Sequence, residues 1–118
     1  MKLLTLSPLL ALLLVVGSRT PRFHDLYECY IITDVEISPY QEDDYEQVDC
    51  EDFMDIIAHA KLWHTAFAVE TEVNLYDDEG IRYKLYISRN CRYFRIDSNY
   101  FRLSRRNARR LKGIIGSS

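Results

Sequence analysis

Two stretches in the middle of the chain alternate apolar with polar residues, and this alternation predicts a β-hairpin. Residues 67–75 and residues 81–87 place apolar side chains at every second position, with Thr71 as the one exception, and this is the period of a strand with one buried face. The turn between them contains Gly80, which supplies the positive φ angle of a bulged hairpin turn. The polar positions should bring two glutamates of the first strand near two basic residues of the second, namely Glu70, Glu72, Arg82 and Lys84.

Three further segments have the pattern of strands. Residues 26–37 alternate over their whole length and end before Pro39, which cannot donate a hydrogen bond to a β-ladder. Residues 92–97 alternate in the same way, and residues 100–103 form a short extended segment after a polar turn. Together with the hairpin, these segments predict an antiparallel sheet of about four strands.

Two segments have the spacing of helices. Asp49 is placed to cap the first helix, in which apolar residues recur at helical spacing as far as Trp63. Acidic residues at its start suit the positive end of the helix dipole. Ser104 is placed to cap the second helix, which is rich in arginine and should stop at Gly113. The predicted fold class is therefore α+β, an antiparallel sheet of about four strands with one acidic amphipathic helix and one basic C-terminal helix.

An apolar segment occupies residues 1–18. A single charge at Lys2, an uncharged run up to Gly17 and a small residue at Ser18 are the layout of a secretory signal peptide. We expect this leader to be cleaved from a secreted protein, leaving one small α+β domain over residues 19–118. Two alternatives stay open, a buried element of an intracellular protein and a short anchor. No stable membrane span is expected, because the run would reach roughly 22 Å as a helix and the hydrocarbon core is roughly 30 Å thick.

The sequence offers little for catalysis or metal binding. Cys29, Cys50 and Cys91 are an odd number of cysteines without a C-x-x-C pair, which argues against a zinc site and a dense disulfide framework. His59 follows Asp55 by four residues, so the carboxylate can orient the imidazole, but no nucleophile is placed beside this pair. We therefore expect a protein that is not an enzyme and that has no metal or cofactor.

Charge is divided sharply along the chain. Residues 1–81 carry 4 basic and 17 acidic side chains, whereas residues 82–118 carry 11 basic and 1 acidic. The formal net charge of −3 therefore hides two opposed parts. Such a concentration of like charge needs a counter-ion, either within the protein or outside it.

The basic part predicts a surface that binds a polyanion. Arg105 and Arg106 sit at the positive end of the C-terminal helix, where each cation is disfavoured by roughly 0.3–1 kcal/mol. Arg105 and Arg109 are also like charges at the i,i+4 spacing. Tyrosines and phenylalanines between the cations can stack on unpaired bases. The candidate polyanion-binding residues are Arg89, Arg92, Tyr93, Arg95, Arg102, Arg105, Arg106, Arg109, Arg110 and Lys112.

These features predict a small non-enzymatic binding protein whose Arg/Tyr-rich strand–helix surface holds a polyanion, with nucleic acid as the first candidate. Two other counter-ions stay open, an acidic protein partner and the acidic segment of the same chain acting as an autoinhibitory cover. The alternative function is a secreted or virus-like protein that binds or inhibits another protein through its charged faces. The acidic residues concerned are Glu42, Asp43, Asp44 and Glu46.

The leader interpretation predicts that the mature protein begins near Arg19, because cleavage follows the small residues that end a signal peptide. N-terminal sequencing and the intact mass of protein purified from its native source measure this directly. Recovery of a chain that still begins at Met1 would contradict secretion through a cleaved leader.

Overall fold

A computed structural model describes residues 20–116, and the predicted leader at residues 1–18 lies outside them. One sheet has the strand order β2-β1-β4-β5-β6-β7-β3, with every neighbouring pair antiparallel. Its strands are Ile32–Pro39 (β1), Glu46–Val48 (β2), Lys61–Trp63 (β3), Val69–Asp77 (β4), Arg82–Ser88 (β5), Tyr93–Ile96 (β6) and Asn99–Arg102 (β7). The helices are Phe23–Leu26 (α1), Cys50–Ala58 (α2) and Arg105–Gly116 (α3), with a 3-10 turn at Cys29–Ile31.

The α+β class is confirmed, but the expectation of about four strands is wrong because the sheet has seven. Strands β2 and β3 are three residues long, which is too short to show an alternation of apolar and polar residues. They become strands only by pairing with β1 and β7, which are other segments of the chain. Helix α2 ends at Ala58, so Trp63 belongs to β3 rather than to the helix. The first predicted strand begins later, at Ile32, and α3 continues past Gly113 to Gly116.

The predicted hairpin and both predicted caps are confirmed. In the β4–β5 hairpin Gly80 has a φ angle of 79°, the left-handed conformation that glycine adopts without a steric penalty. The Asp49 carboxylate accepts a hydrogen bond of 2.9 Å from the backbone N–H of Asp52 at the start of α2. The Ser104 hydroxyl accepts one of 3.2 Å from the N–H of Asn107 at the start of α3. These local signals therefore specify where the hairpin turns and where the two longer helices begin.

All three helices cover the same face of the sheet and form one core. Phe23 of α1, Phe53 of α2 and Leu111 of α3 are fully buried in it. Phe94 and Phe101 stack across β6 and β7 with ring centroids 5.1 Å apart. Burying a side chain of this size contributes roughly 1.5–3 kcal/mol relative to leaving it exposed. The opposite face of the sheet carries polar and aromatic residues, and we refer to it as the open face.

A short connection, residues 64–68, crosses the open face between β3 and β4, and we refer to it as the strap. Because β7, β6 and β5 lie between these strands, the ends are four strand spacings apart, about 19 Å. The six residue steps from Trp63 to Val69 reach at most about 20–22 Å. Phe67 packs on Tyr93 and Tyr100 of the open face, with ring centroids 6.3 and 5.9 Å away. The strap therefore has to take a direct path across the three intervening strands.

None of the helices within residues 20–116 has the length and apolar character needed to span a membrane.

A buried glutamate holds the loop of residues 40–45 against the open face. Glu72 is 5% exposed and accepts hydrogen bonds from the Gln41 backbone N–H at 2.8 Å, the Tyr45 hydroxyl at 2.5 Å and the Lys84 ammonium at 2.8 Å. Burial by itself would raise the pKa of Glu72, but these hydrogen bonds outweigh burial and lower the pKa to about 2. The Glu72–Lys84 contact expected from the hairpin is therefore part of a larger cluster.

This cluster predicts a specific loss of stability in acid. A carboxyl group whose pKa is lowered by folding stabilises the protein at pH values above its ordinary, unfolded-state pKa. This contribution disappears as the pH falls through the lowered pKa. For Glu72 this pH window runs from the ordinary glutamate pKa of 4.5 down to about 2. We expect Glu72→Gln to lower the free energy of unfolding at neutral pH by about 1–3 kcal/mol, because its buried hydrogen-bond donors lose a charged acceptor.

Urea unfolding between neutral and strongly acidic pH measures this effect. The difference between wild type and Glu72→Gln should narrow across that window. Glu46→Gln, at an exposed position of β2, is the matched control and should follow the wild-type profile. If the free energies of unfolding of wild type and Glu72→Gln fell in parallel with pH, the lowered pKa of Glu72 would be contradicted.

Candidate polyanion interface

A basic cleft of about 430 Å³ lies where β7 ends and α3 begins. Five of its nine lining residues are lysine or arginine, and none is acidic. They come from the N-terminal segment, the β3 edge, the start of β6 and the β7–α3 junction. The lining residues of this basic cleft are Arg22, His59, Lys61, Arg92, Arg102, Leu103, Ser104, Arg106 and Asn107.

Backbone pairing places three of these cations in one row across the sheet. Lys61 of β3 is directly opposite Arg102 of β7, and Arg22 forms an isolated antiparallel bridge to Lys61. Like charges directly opposite each other destabilise a sheet by an amount comparable to the roughly 0.2–1 kcal/mol that opposite charges contribute. The row therefore exists at a cost to the folded state.

Neutral partners fix the guanidinium groups of the cleft. The Arg22 Nη1 donates to the His59 carbonyl oxygen at 2.9 Å, and the Arg92 Nε donates to the Leu103 carbonyl oxygen at 3.0 Å. The Arg102 guanidinium lies over the Trp63 ring, 3.9 Å from its centroid. Carbonyl dipoles and a ring face orient these cations without neutralising them. The side chains are thus positioned while their charge stays available to an anion.

The start of α3 adds further positive potential. Arg105 and Arg106 occupy its first turn and are exposed, at the end of the helix that already carries a partial positive charge. The Ser104 hydroxyl satisfies one backbone N–H of this turn. The backbone and the side chains therefore present charge of the same sign to the cleft.

A second basic groove, of about 260 Å³, continues the cleft along α3. It is lined by Asn90, Arg92, Arg105, Ala108, Arg109 and Lys112. Arg92 lines both depressions, so the two form one continuous basic surface. A ligand lying across both would need several negative charges.

The ten residues predicted from the sequence are divided between four locations. Six of them, Arg92, Arg102, Arg105, Arg106, Arg109 and Lys112, line the basic cleft or the second basic groove. Tyr93 and Arg95 lie on the open face, with the Arg95 guanidinium 4.7 Å from the centroid of the Tyr86 ring. Arg89 is exposed in the β5–β6 turn, and Arg110 forms an exposed ion pair of 3.2 Å with Asp55 of α2.

Sequence reasoning missed Arg22, His59, Lys61 and Trp63. Each is distant along the chain from the basic part and reaches it only through the pairing of β3 with β7 and of Arg22 with Lys61. One signal was available, because Arg22 and Lys61 are two of only four basic residues within residues 1–81. A cation that stands alone in an acidic region is a candidate for a role elsewhere in the fold.

The acidic residues singled out from the sequence lie toward the other end of the sheet. Glu42, Asp43 and Asp44 are exposed in the loop after β1, and Glu46 is exposed on the edge strand β2. Within residues 20–116, none of them forms an ion pair with a cation of α3. Asp44 and Glu46 line a groove of about 310 Å³ that also includes Ile115 near the end of that helix.

The cysteines and His59 have surroundings that do not activate them. Burial raises the pKa of the Cys29 thiol to about 12 and also raises the pKa values of Cys50 and Cys91. Thiols in this state are poor nucleophiles at neutral pH. The His59 Nδ1 contacts the backbone oxygen of Asp55 at 2.9 Å, rather than the carboxylate that the sequence suggested.

Comparison with protein families, curated proteins and solved structures found no match.

Removing the Lys61 charge is expected to stabilise the fold. Lys61→Gln removes a cation that is paired in the sheet with Arg22 and with Arg102, and should raise the free energy of unfolding by about 0.2–1 kcal/mol. Urea unfolding at low salt measures this, and the gain should shrink at high salt because exposed charges are screened. Arg82→Gln removes an exposed cation that faces Tyr76 in the sheet, and it should change stability by less than about 0.5 kcal/mol. A Lys61→Gln protein less stable than wild type would contradict repulsion in the row.

Proposed function

We propose that this protein is a small non-enzymatic binding protein that holds a polyanion, specifically nucleic acid, in the basic cleft and along α3. The observation that carries the proposal is the convergence of five cations from separate parts of the chain around a cleft with no acidic lining residue. A linear run of basic residues can be a solvated surface. Convergence through the tertiary structure creates a localised positive potential, which attracts a ligand of opposite charge.

A bound anion would relieve the electrostatic repulsions that destabilise this region of the free protein. The Lys61–Arg102 pair, the Arg22–Lys61 bridge and the cations on the first turn of α3 all oppose folding in the free protein. A bound phosphate screens each of these repulsions. The folded state should therefore gain stability on binding, because the ligand binds the native arrangement of cations better than an unfolded chain.

The extent of the basic surface favours a polymer over a single anion. Helix α3 has 12 residues, so it is about 18 Å long at 1.5 Å per residue, and the second basic groove follows it from the cleft. Cations spaced over such a length can contact successive phosphates. Release of the counterions from those phosphates supplies much of the binding free energy.

The residue types favour phosphate as the charged group. Nine of the eleven basic residues between positions 82 and 112 are arginine. The planar guanidinium donates paired hydrogen bonds that match phosphate oxygens, whereas lysine acts as a point charge. Tyr93 and Tyr100 of the adjoining open face already pack on Phe67. The half-buried Trp63 ring lies beside the cleft and can stack on a base, a group that neither an acidic protein nor a sulfated polysaccharide carries.

The proposal predicts a steep salt dependence that originates in the cleft. The observed affinity for a fluorescently labelled oligonucleotide should fall linearly on logarithmic axes of affinity and salt, with a slope of about −0.7 to −0.9 for each phosphate contacted. The double variant Lys61→Gln/Arg106→Gln should flatten this slope by about 1.4–1.8. It should also weaken binding about tenfold or more for each charge removed, because hydrogen bonds to charged groups contribute about 1.5 kcal/mol or more.

The matched control is Arg82→Gln/Arg110→Gln, which changes the net charge equally. Arg82 lies outside the cleft and Arg110 is already paired with Asp55, so this variant should keep nearly the wild-type slope. Fluorescence anisotropy across a salt series measures all three proteins. Equal slopes for the two double variants, or absence of binding to any polyanion at low salt, would overturn the proposal. Binding to an acidic protein domain but to no nucleic acid would favour the protein-interaction alternative instead.

A further inference from the structure

A row of aromatic and basic side chains on the open face lies beside the basic cleft. Backbone register aligns Trp63 of β3, Tyr100 of β7, Arg95 of β6 and Tyr86 of β5 across four neighbouring strands. The row that contains Lys61 and Arg102 lies two residues along the strands on the same face, a separation of about 7 Å. Cations that contact phosphates and rings that contact bases are therefore at adjacent positions.

We propose that the ligand is single-stranded nucleic acid, with its phosphates in the basic cleft and one of its bases stacked on the Trp63 ring. This inference rests on the proposed function and assigns a base-binding position to it. Trp63 is half-buried, and its neighbour His64 on the strap has its ring centroid 4.9 Å away. Within residues 20–116, Trp63 is the aromatic residue that pairs directly with a cation of the cleft.

Arg102 connects the two positions. Its guanidinium covers the Trp63 ring at 3.9 Å and also lines the cleft. When a phosphate enters the cleft, the guanidinium can turn toward it, and the exposed ring then accepts a base. A stacked base contributes more binding free energy than a cation–π contact at an exposed site, and the guanidinium gains a charge-assisted hydrogen bond. The exchange is therefore favourable for a ligand that carries both phosphates and unpaired bases.

The same geometry selects against a duplex at this position. Bases in a double helix are stacked on their neighbours, so they do not present a free ring face to a protein side chain. The strap also crosses the open face beside Trp63, and Phe67 packs on Tyr93 and Tyr100 there. A flexible strand with splayed bases can follow the border between the strap and the cleft.

A purely structural role for Trp63 is the competing explanation, since a tryptophan on an edge strand can simply pack against Tyr100 across β3 and β7. That role predicts lower stability of a variant but no dependence of binding on the presence of bases. The test must therefore compare ligands that have the same phosphates and differ only in their bases.

Trp63 is the only tryptophan in the chain, so its intrinsic fluorescence reports on this position alone. The wild-type protein is titrated at low salt with a single-stranded oligothymidylate, an abasic phosphodiester oligomer of the same length, a duplex and heparin. We expect several of these polyanions to bind and to shift the Trp63 spectrum as Arg102 turns away from the ring. The strong quenching that a stacked base produces is expected only with the oligothymidylate. Equal quenching by the abasic oligomer, or stronger quenching by the duplex, would overturn the inference.

Variants give a second readout through the anisotropy of labelled ligands. Trp63→Leu should weaken binding of the oligothymidylate roughly 5- to 150-fold, the equivalent of one lost stacking contact, and should leave binding of the abasic oligomer unchanged. Trp63→Phe keeps a ring and should restore most of the affinity. Tyr30→Leu removes an aromatic side chain that is 82% exposed and lies outside the cleft, so it is the matched control and should bind as wild type.

The outcomes separate this inference from the proposed function. If no polyanion binds, the proposed function fails. If all polyanions bind and Trp63→Leu retains wild-type affinity for the oligothymidylate, the base position alone fails. Should Trp63→Leu not fold, as judged by circular dichroism, Trp63→Phe and the wild-type fluorescence titration still decide the question.

Discussion

The pairing of β3 with β7 is the contact on which the interface depends. It consists of three residue pairs: Lys61 with Arg102, Leu62 with Phe101, and Trp63 with Tyr100. The middle pair joins a half-buried leucine to a fully buried phenylalanine of the core, and burial of apolar area favours association. Because the register is continuous, this contact also places the two outer pairs, Lys61 with Arg102 and Trp63 with Tyr100, side by side on the open face. A short apolar contact thus fixes a pair of like charges and an aromatic pair in known register.

The same pairing explains the strap. Once β3 is at the edge beside β7, the chain must cross three strands to begin β4, and it has only residues 64–68 in which to do so. Five residues leave only a direct path for this crossing, and Phe67 packs on Tyr93 and Tyr100 of the open face. Displacement of the strap would pull on β3 or β4, so the border of the cleft is constrained by covalent geometry as well as by packing.

Charge is separated across the sheet as well as along the chain. Glu46 lies on the edge strand β2, and Glu72 holds the loop of residues 40–45 over β4, whereas the row from Arg22 to Arg102 lies at the β7–β3 edge. Three strand spacings, about 14 Å, separate β4 from β7. That separation exceeds the Debye length of about 8 Å at physiological ionic strength, so salt screens the exposed acids of this loop and of β2 from the cleft. The Glu72 cluster has a different role, since Lys84 and the hydroxyl of Tyr45 compensate that carboxylate locally. An approaching polyanion would therefore be repelled from one edge and attracted to the other.

The sequence by itself determined the elements whose signals are local. Alternation specified the β4–β5 hairpin, Gly80 specified its turn, and Asp49 and Ser104 specified where α2 and α3 begin, because each of these effects acts within a few residues. It also identified the basic C-terminal part, from which six of ten predicted residues line the cleft or the groove. Only the tertiary structure added Arg22, Lys61 and Trp63, and only it revealed the three-residue strands. Lys61 and Arg102 are 41 positions apart in the sequence, and no local periodicity encodes their meeting, which depends on burial of Leu62 against the core.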